Sequence, residues 1–172
     1  MHKFIIILSL VAVQSSFSQN DLVKEVWLEK WKNSKEYLIT IAEAMPEDKY
    51  NYKPTEREMS VGEQLLHIRN NMLWLGTTYF SDETFDRSVL QKDIPVGKNA
   101  IIEAVRLAFE EVYEKVNQFP GERYADSVDF FAGEKKRIQI LNLLQDHVSH
   151  HRGQLIVYLN LNAIEPPPFT GW

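Results

Sequence analysis

Cysteine is absent from the 172 residues. Disulfides, thiolate metal ligands and a cysteine nucleophile are excluded together, so a metal bound by this chain must use imidazole, carboxylate or amide donors. Glycine is scarce, at 7 residues, which suits long helices better than a turn-rich β fold. There is no basic cluster. The 19 lysines and arginines are interleaved with 24 acids for a net charge of −5, so nothing is expected to track a phosphate backbone and no nucleic-acid partner is expected. Long hydrophobic runs are also missing, because Phe4 to Val13 is far shorter than the roughly 20 residues that span a bilayer.

What remains is ordinary for one folded domain: 44% hydrophobic and 25% charged residues. Lys3 opens a short basic stretch before the apolar run, and Ser16-Phe17-Ser18 has the small-x-small form of a cleavage site. Residues 1–18 therefore read as a secretory signal peptide. The mature chain is expected to start near Gln19 and to be secreted or periplasmic, not membrane-spanning. With no cysteine behind the leader, a lipid-modified N-terminus is excluded as well.

Residues 21–172 divide into four helical stretches. Trp27, Trp31, Ser34, Leu38, Ile41 and Met45 recur at three- and four-residue steps, which marks a first helix from about Asp21, its expected N-cap, to Pro46. Ser60 and Glu63 form the signature of a capping box, and Leu65, Ile68, Met72, Leu75 and Tyr79 follow as the buried face of a second helix. A third helix runs from about Asn99 to Phe119, with Ile101, Val105, Ala108, Val112 and Val116 inward, and Pro120-Gly121 stops it. A short extended piece at Ser127–Phe131 precedes a fourth helix over Lys135–Asn162, whose Ile138, Leu141, Leu144, Val148, Leu155 and Leu159 face inward. The proline-rich tail after Pro166 cannot continue that helix and is expected to pack across the bundle end through Phe169 and Trp172. The fold class is therefore all-α, a four-helix bundle. Its connectors are long enough to allow non-sequential neighbours and a loop-lined pocket at one end.

Chemistry concentrates in histidine. His147 and His151 stand four residues apart and share one face of the fourth helix, a spacing that lets two imidazoles reach one ion. His150 points about 100° away from His151 and does not fit the same ion. His67, on the second helix, is the histidine outside the fourth helix in the mature chain and supplies the third ligand. Its stripe continues through Asn71, Trp74 and Thr78, opposite a second polar stripe of His147, His151, Gln154 and Tyr158. Neutral imidazoles suit zinc, nickel, copper or iron. Three of them leave the ion its full charge, which acidifies bound water and attracts a thiolate. Gln154 is placed to be a fourth ligand or an orienting group, and Glu63 to be an acceptor behind His67. Trp27, Trp31, Trp74 and Tyr158 read as core, and Arg152 as a surface ion pair or a substrate anchor.

The run His147-Val148-Ser149-His150-His151-Arg152-Gly153-Gln154 resembles the signature of the DinB-like family of bacterial four-helix bundles. So does Met59-Ser60-Val61-Gly62-Glu63-Gln64-Leu65-Leu66-His67, and the closing Pro-Pro-Pro-Phe-Thr-Gly-Trp is similar to one branch of it. The resemblance covers almost all of residues 21–172. It implies a metal triad of His67, His147 and His151, a zinc or nickel ion ahead of iron or copper, and a homodimer. It also implies kinship with thiol-dependent S-transferases and isomerases that use bacillithiol, mycothiol or glutathione. The chain differs from the usual pattern in its leader.

Two functions follow as expectations. One is a metal-dependent enzyme, a transferase acting on a small-molecule substrate with a thiol. The other is a non-catalytic, metal-stabilised binding or stress protein of the cell envelope. A third option is metal-assisted hydrolysis with Glu63 as the base.

Overall fold

The computed structural model describes residues 2–92 and 94–171, with side chains from residue 21 onward. Four long helices carry it: α1 (His2–Ala44), α2 (Val61–Phe80), α4 (Lys98–Gln118) and α5 (Arg137–Leu161). A one-turn helix, α3 (Val89–Lys92), lies in the connector between α2 and α4. Asp21 sits inside α1 rather than capping it, against expectation. The expected leader, residues 1–18, falls where no side chain is described, and Trp172 lies outside the described residues. No described helix is long and apolar enough to cross a membrane.

The expected stripes are the core. Trp31, Leu38 and Ile41 of α1, Met45 just beyond it, Leu65, Ile68, Met72 and Leu75 of α2, and Val105, Val112 and Val116 of α4 are all essentially inaccessible. On α5 the stripe is shifted at its start: Ile140 is buried while Ile138 is only partly so. The two α1 tryptophans pin the helix to its neighbours. Trp27 donates its indole N–H to Leu141 O of α5 at 3.0 Å, and Trp31 to Phe109 O of α4 at 3.0 Å. A buried tryptophan that also satisfies its N–H contributes on the order of 3–5 kcal/mol against alanine.

Contacts fix the helix directions. The pairs Gln64–Tyr158, His67–His147 and Tyr79–Arg137 climb α2 while descending α5, so these neighbours are antiparallel. Gly62 meets Ile101 and Gly76 meets Val112, so α2 and α4 run parallel. α1 packs on α4 and α5, and α2 on the same two, so of the consecutive long helices only α2 and α4 are principal neighbours. Parallel neighbours cannot be joined by a tight turn. A 20-residue helix is about 30 Å long, so the α2–α4 connector must travel back along the bundle. On its way it passes α2 beside His67.

Gly76 shows how close α2 and α4 come: a Cβ there would lie 2.7 Å from Val112 Cγ2. Alanine gains roughly 1 kcal/mol of helix propensity over glycine, but Val112 is wholly buried and β-branched, and overpacking costs about 1–3 kcal/mol. Gly76→Ala is therefore expected to lower the thermal midpoint, and adding Val112→Ala to return part of the loss. A more stable Gly76→Ala protein would show that α2 and α4 leave room for a methyl group here.

The fourth helix begins later than expected. Lys135–Lys136 form a strand, β2, paired antiparallel with β1 (Ser127–Val128) in the register Ser127 to Lys136. The expected extended piece thus ends at Val128. Gly133, at φ +87°, makes the turn that a residue with a Cβ would resist. The tail lies along α1 rather than across the bundle end. Asn33 donates to Thr170 O at 2.5 Å, and Phe169 meets the Tyr37 ring edge-on at 5.7 Å while its own surface stays exposed.

Candidate metal centre

The antiparallel pairing of α2 and α5 brings His67 against His147 and His151. Donor atoms of all three rings lie within 4.8 Å of one another, with ring centroids 4.5–4.9 Å apart. His67 Nε2 and His147 Nε2 are 3.1 Å apart. Two imidazole nitrogens bound at about 2.0–2.1 Å to one zinc ion stand roughly 3 Å apart, so the spacing of this pair fits a shared ion. Among the described residues no Asp or Glu joins the cluster. His150 is exposed and outside it, as its helical angle requires.

Gln64 is the residue the sequence did not single out. It lies one turn before His67 on the inner face of α2 and is almost fully buried. Its Oε1 is 2.6 Å from His151 Nδ1. A carbonyl oxygen can only accept, so Nδ1 carries the proton and Nε2 keeps a lone pair for the cluster. The other end of the amide donates to Tyr158 Oη at 3.2 Å and to Gln154 Oε1. Tyr158 in turn donates to Met59 O at 3.0 Å. Gln154 thereby braces Gln64, and its Nε2 turns to His150 at 2.9 Å. That is the orienting role, not the fourth ligand. The available signal was position: i−3 from a candidate ligand faces the same way. His147 has no such brace, since its Nδ1 is buried without a partner.

Glu63, the neighbour that had seemed the better partner for His67, points elsewhere. Its Oε2 accepts from Ser60 N at 2.7 Å and pairs with Lys53 at 2.9 Å. The capping box forms as expected and takes the carboxylate with it. The Ser60 backbone N–H and then Lys53 pull its pKa down to about 2. It is neither an acceptor behind His67 nor a competent base for hydrolysis. Arg152 is neither a surface ion pair nor a group at the centre: it is buried with its guanidinium over the Tyr37 ring at 5.0 Å.

Burial sets the protonation of the cluster. It lowers the His147 pKa to about 3, with the neighbouring His151, His67 and His150 adding to the effect. It lowers His151 to about 4, helped by His67 and His150 and opposed by Gln154. His67 is lowered by burial and then by His150. All three rings are thus neutral near pH 7, the form in which imidazole binds a metal.

His67 also borders a cavity of about 450 Å³, which the α2–α4 connector covers. Asn71 and Trp74 continue the His67 face of α2 into it, and Arg87, Leu90 and Ile94 come from the connector. Thr78, the last member of the expected stripe, is exposed and takes no part. The long connector does make a loop-lined pocket, on the flank of the bundle beside the histidines.

The DinB family model matches residues 18–172. The uncharacterized protein YjoA of Bacillus subtilis (strain 168) is 24% identical over 129 residues, 75% of this chain and 84% of that protein. In fold, the chain resembles the crystal structure of that DinB-like protein from Bacillus subtilis, at TM-score 0.68 and 21% identity, over 84% of this chain and 96% of the other. A DinB-like protein from Bacillus cereus ATCC 10987 matches with TM-score 0.68 and 19% identity over the same shares.

Proposed function

The chain belongs to the DinB family, and on that premise we propose that it is an exported protein whose His67, His147 and His151 hold one divalent ion, zinc or nickel, for metal-dependent transfer chemistry on a small molecule or thiol. The carrying observation is the convergence of three neutral imidazoles, one with its tautomer set by Gln64, beside an open cavity. A bound ion would supply Lewis acidity, favouring the deprotonated form of a thiol or water.

The chain's own residues do the rest. Gln64 holds the His151 ring in place, α2 and α5 exclude water from two sides, and the cavity beside His67 receives the second reactant. Among the described residues no carboxylate stands in the cluster, so a proton released on binding has no acceptor among them and leaves to solvent. This favours a reaction in which the nucleophile arrives as an anion over one needing a general base. Export is supported by the apolar run Phe4 to Val13 and the small residues behind it.

The test is elemental analysis of protein recovered from its own compartment, followed by turnover of thiols with carbon electrophiles by the metal-loaded form. Near-stoichiometric zinc or nickel is expected, with turnover that His147→Ala removes. Equal rates for wild type and His147→Ala would refute the enzymatic reading. If metal and chelator-sensitive melting persist without turnover, the non-catalytic envelope protein is the correct alternative.

A further inference from the structure

We infer that the cavity beside His67 selects a small organic anion carrying a flat apolar group. The inference rests on the proposed function for the cavity's role, though not for its chemistry. Two observations carry it. Among the described residues no aspartate or glutamate lines the cavity, and Arg87 is the one formal charge on that lining. Among the described residues no carboxylate pairs with Arg87; its guanidinium lies instead over the Trp74 ring, 5.0 Å from the centroid.

Each feature has a matching ligand group. An unpaired guanidinium with five N–H donors recognises a carboxylate, sulfonate or phosphate end. The apolar side of the cavity, Trp74 with Leu90 and Ile94, takes the apolar body beside the guanidinium that lies over the Trp74 ring. The volume lies within the roughly 300–1,000 Å³ of small-molecule sites. Trp74 is seven residues beyond His67, about 10 Å along the helix. A molecule of phenylpropanoate size, held by its anionic end at Arg87, would present its other end to the histidine cluster.

The probe is 2-phenylethanesulfonate, because a sulfonate is a weak metal ligand and reports the pocket rather than the ion. The control is neutral 2-phenylethanol. Both are titrated by calorimetry into the full chain, metal-free and zinc-loaded, with the Trp74 indole resonance followed by NMR. One-to-one binding is expected, with the sulfonate at least about tenfold tighter than the alcohol. Arg87→Gln, an exposed substitution, should weaken the sulfonate about tenfold, leave the alcohol unchanged, and leave zinc content at the wild-type level. Trp74→Phe should weaken both probes, and Trp74→Ala more so, provided circular dichroism shows the helices intact. Equal binding of the two probes, indifference to Arg87→Gln, or no binding at millimolar concentration would each overturn the inference. Sulfonate binding in a protein that never takes up zinc would leave the pocket standing and remove the metal centre.

Discussion

Alanine at His147 is expected to abolish stoichiometric zinc or nickel binding and to erase the sensitivity of the melting temperature to chelator. An ion that binds the folded chain and not the unfolded one adds about 2.7 kcal/mol at a hundredfold excess over its dissociation constant. In a protein of this size that corresponds to roughly 5–11 °C. Wild type should lose this increment on chelation, and His147→Ala should show none, since two imidazoles remain and no carboxylate among the described residues stands in the cluster to replace the third. His150→Ala is the matched control: an exposed histidine three residues away and outside the cluster, it should keep full metal content. Gln64→Leu should fall between them. Loss of an outer partner of a ligating histidine costs roughly 10–100-fold in affinity, and Gln64 is that partner for His151. Full metal content in His147→Ala, measured by elemental analysis on desalted protein, would remove the centre as described.

The ligands were legible because helical geometry is local. Two histidines four apart must share a face, and a buried-face position for His67 follows from the Leu65, Ile68 and Met72 stripe around it. Gln64 was not legible for the opposite reason. An amide on an inner face has no spacing rule of its own, and its value here depends on α5 lying alongside with Gln154 and Tyr158 in register. Glu63 misled because the capping box, correctly read, directs its carboxylate to the helix start and Lys53, away from the core. The strand Lys135–Lys136 was hidden in the same way, since two lysines have little strand character until Ser127–Val128 pairs with them. The cavity depends on the connector, whose course follows from α2 and α4 being parallel. That direction is a property of the packed bundle and is written in no single segment.

Acid is expected to unfold the metal-free protein well before it strips the metal from the loaded form. In the folded chain His147 titrates at about 3 and His151 at about 4, both depressed chiefly by burial. In the unfolded chain each returns to about 6.5. Between those values the unfolded state binds more protons, so stability rises with pH across the window. The contribution is complete above about 6.5, is lost as pH falls, and is gone once the folded-state values are passed. Glu63, lowered to about 2 by the Ser60 backbone and Lys53, has its own window below about pH 4.3, under the lower pH of the comparison. Urea midpoints of metal-free protein at about pH 7.5 and about pH 5 therefore isolate the imidazoles. The midpoint should be lower at the acid value, and His147→Gln should flatten the difference. Metal affinity should behave the other way. Two ordinary histidines would lose roughly 100-fold in affinity by pH 5.5 through proton competition. Here the folded rings are already neutral, so zinc affinity is expected to change by less than about tenfold between pH 7 and 5.5. A hundredfold drop in affinity together with a pH-independent urea midpoint would mean that these rings titrate as solvated bases and that no preformed, desolvated donor set exists.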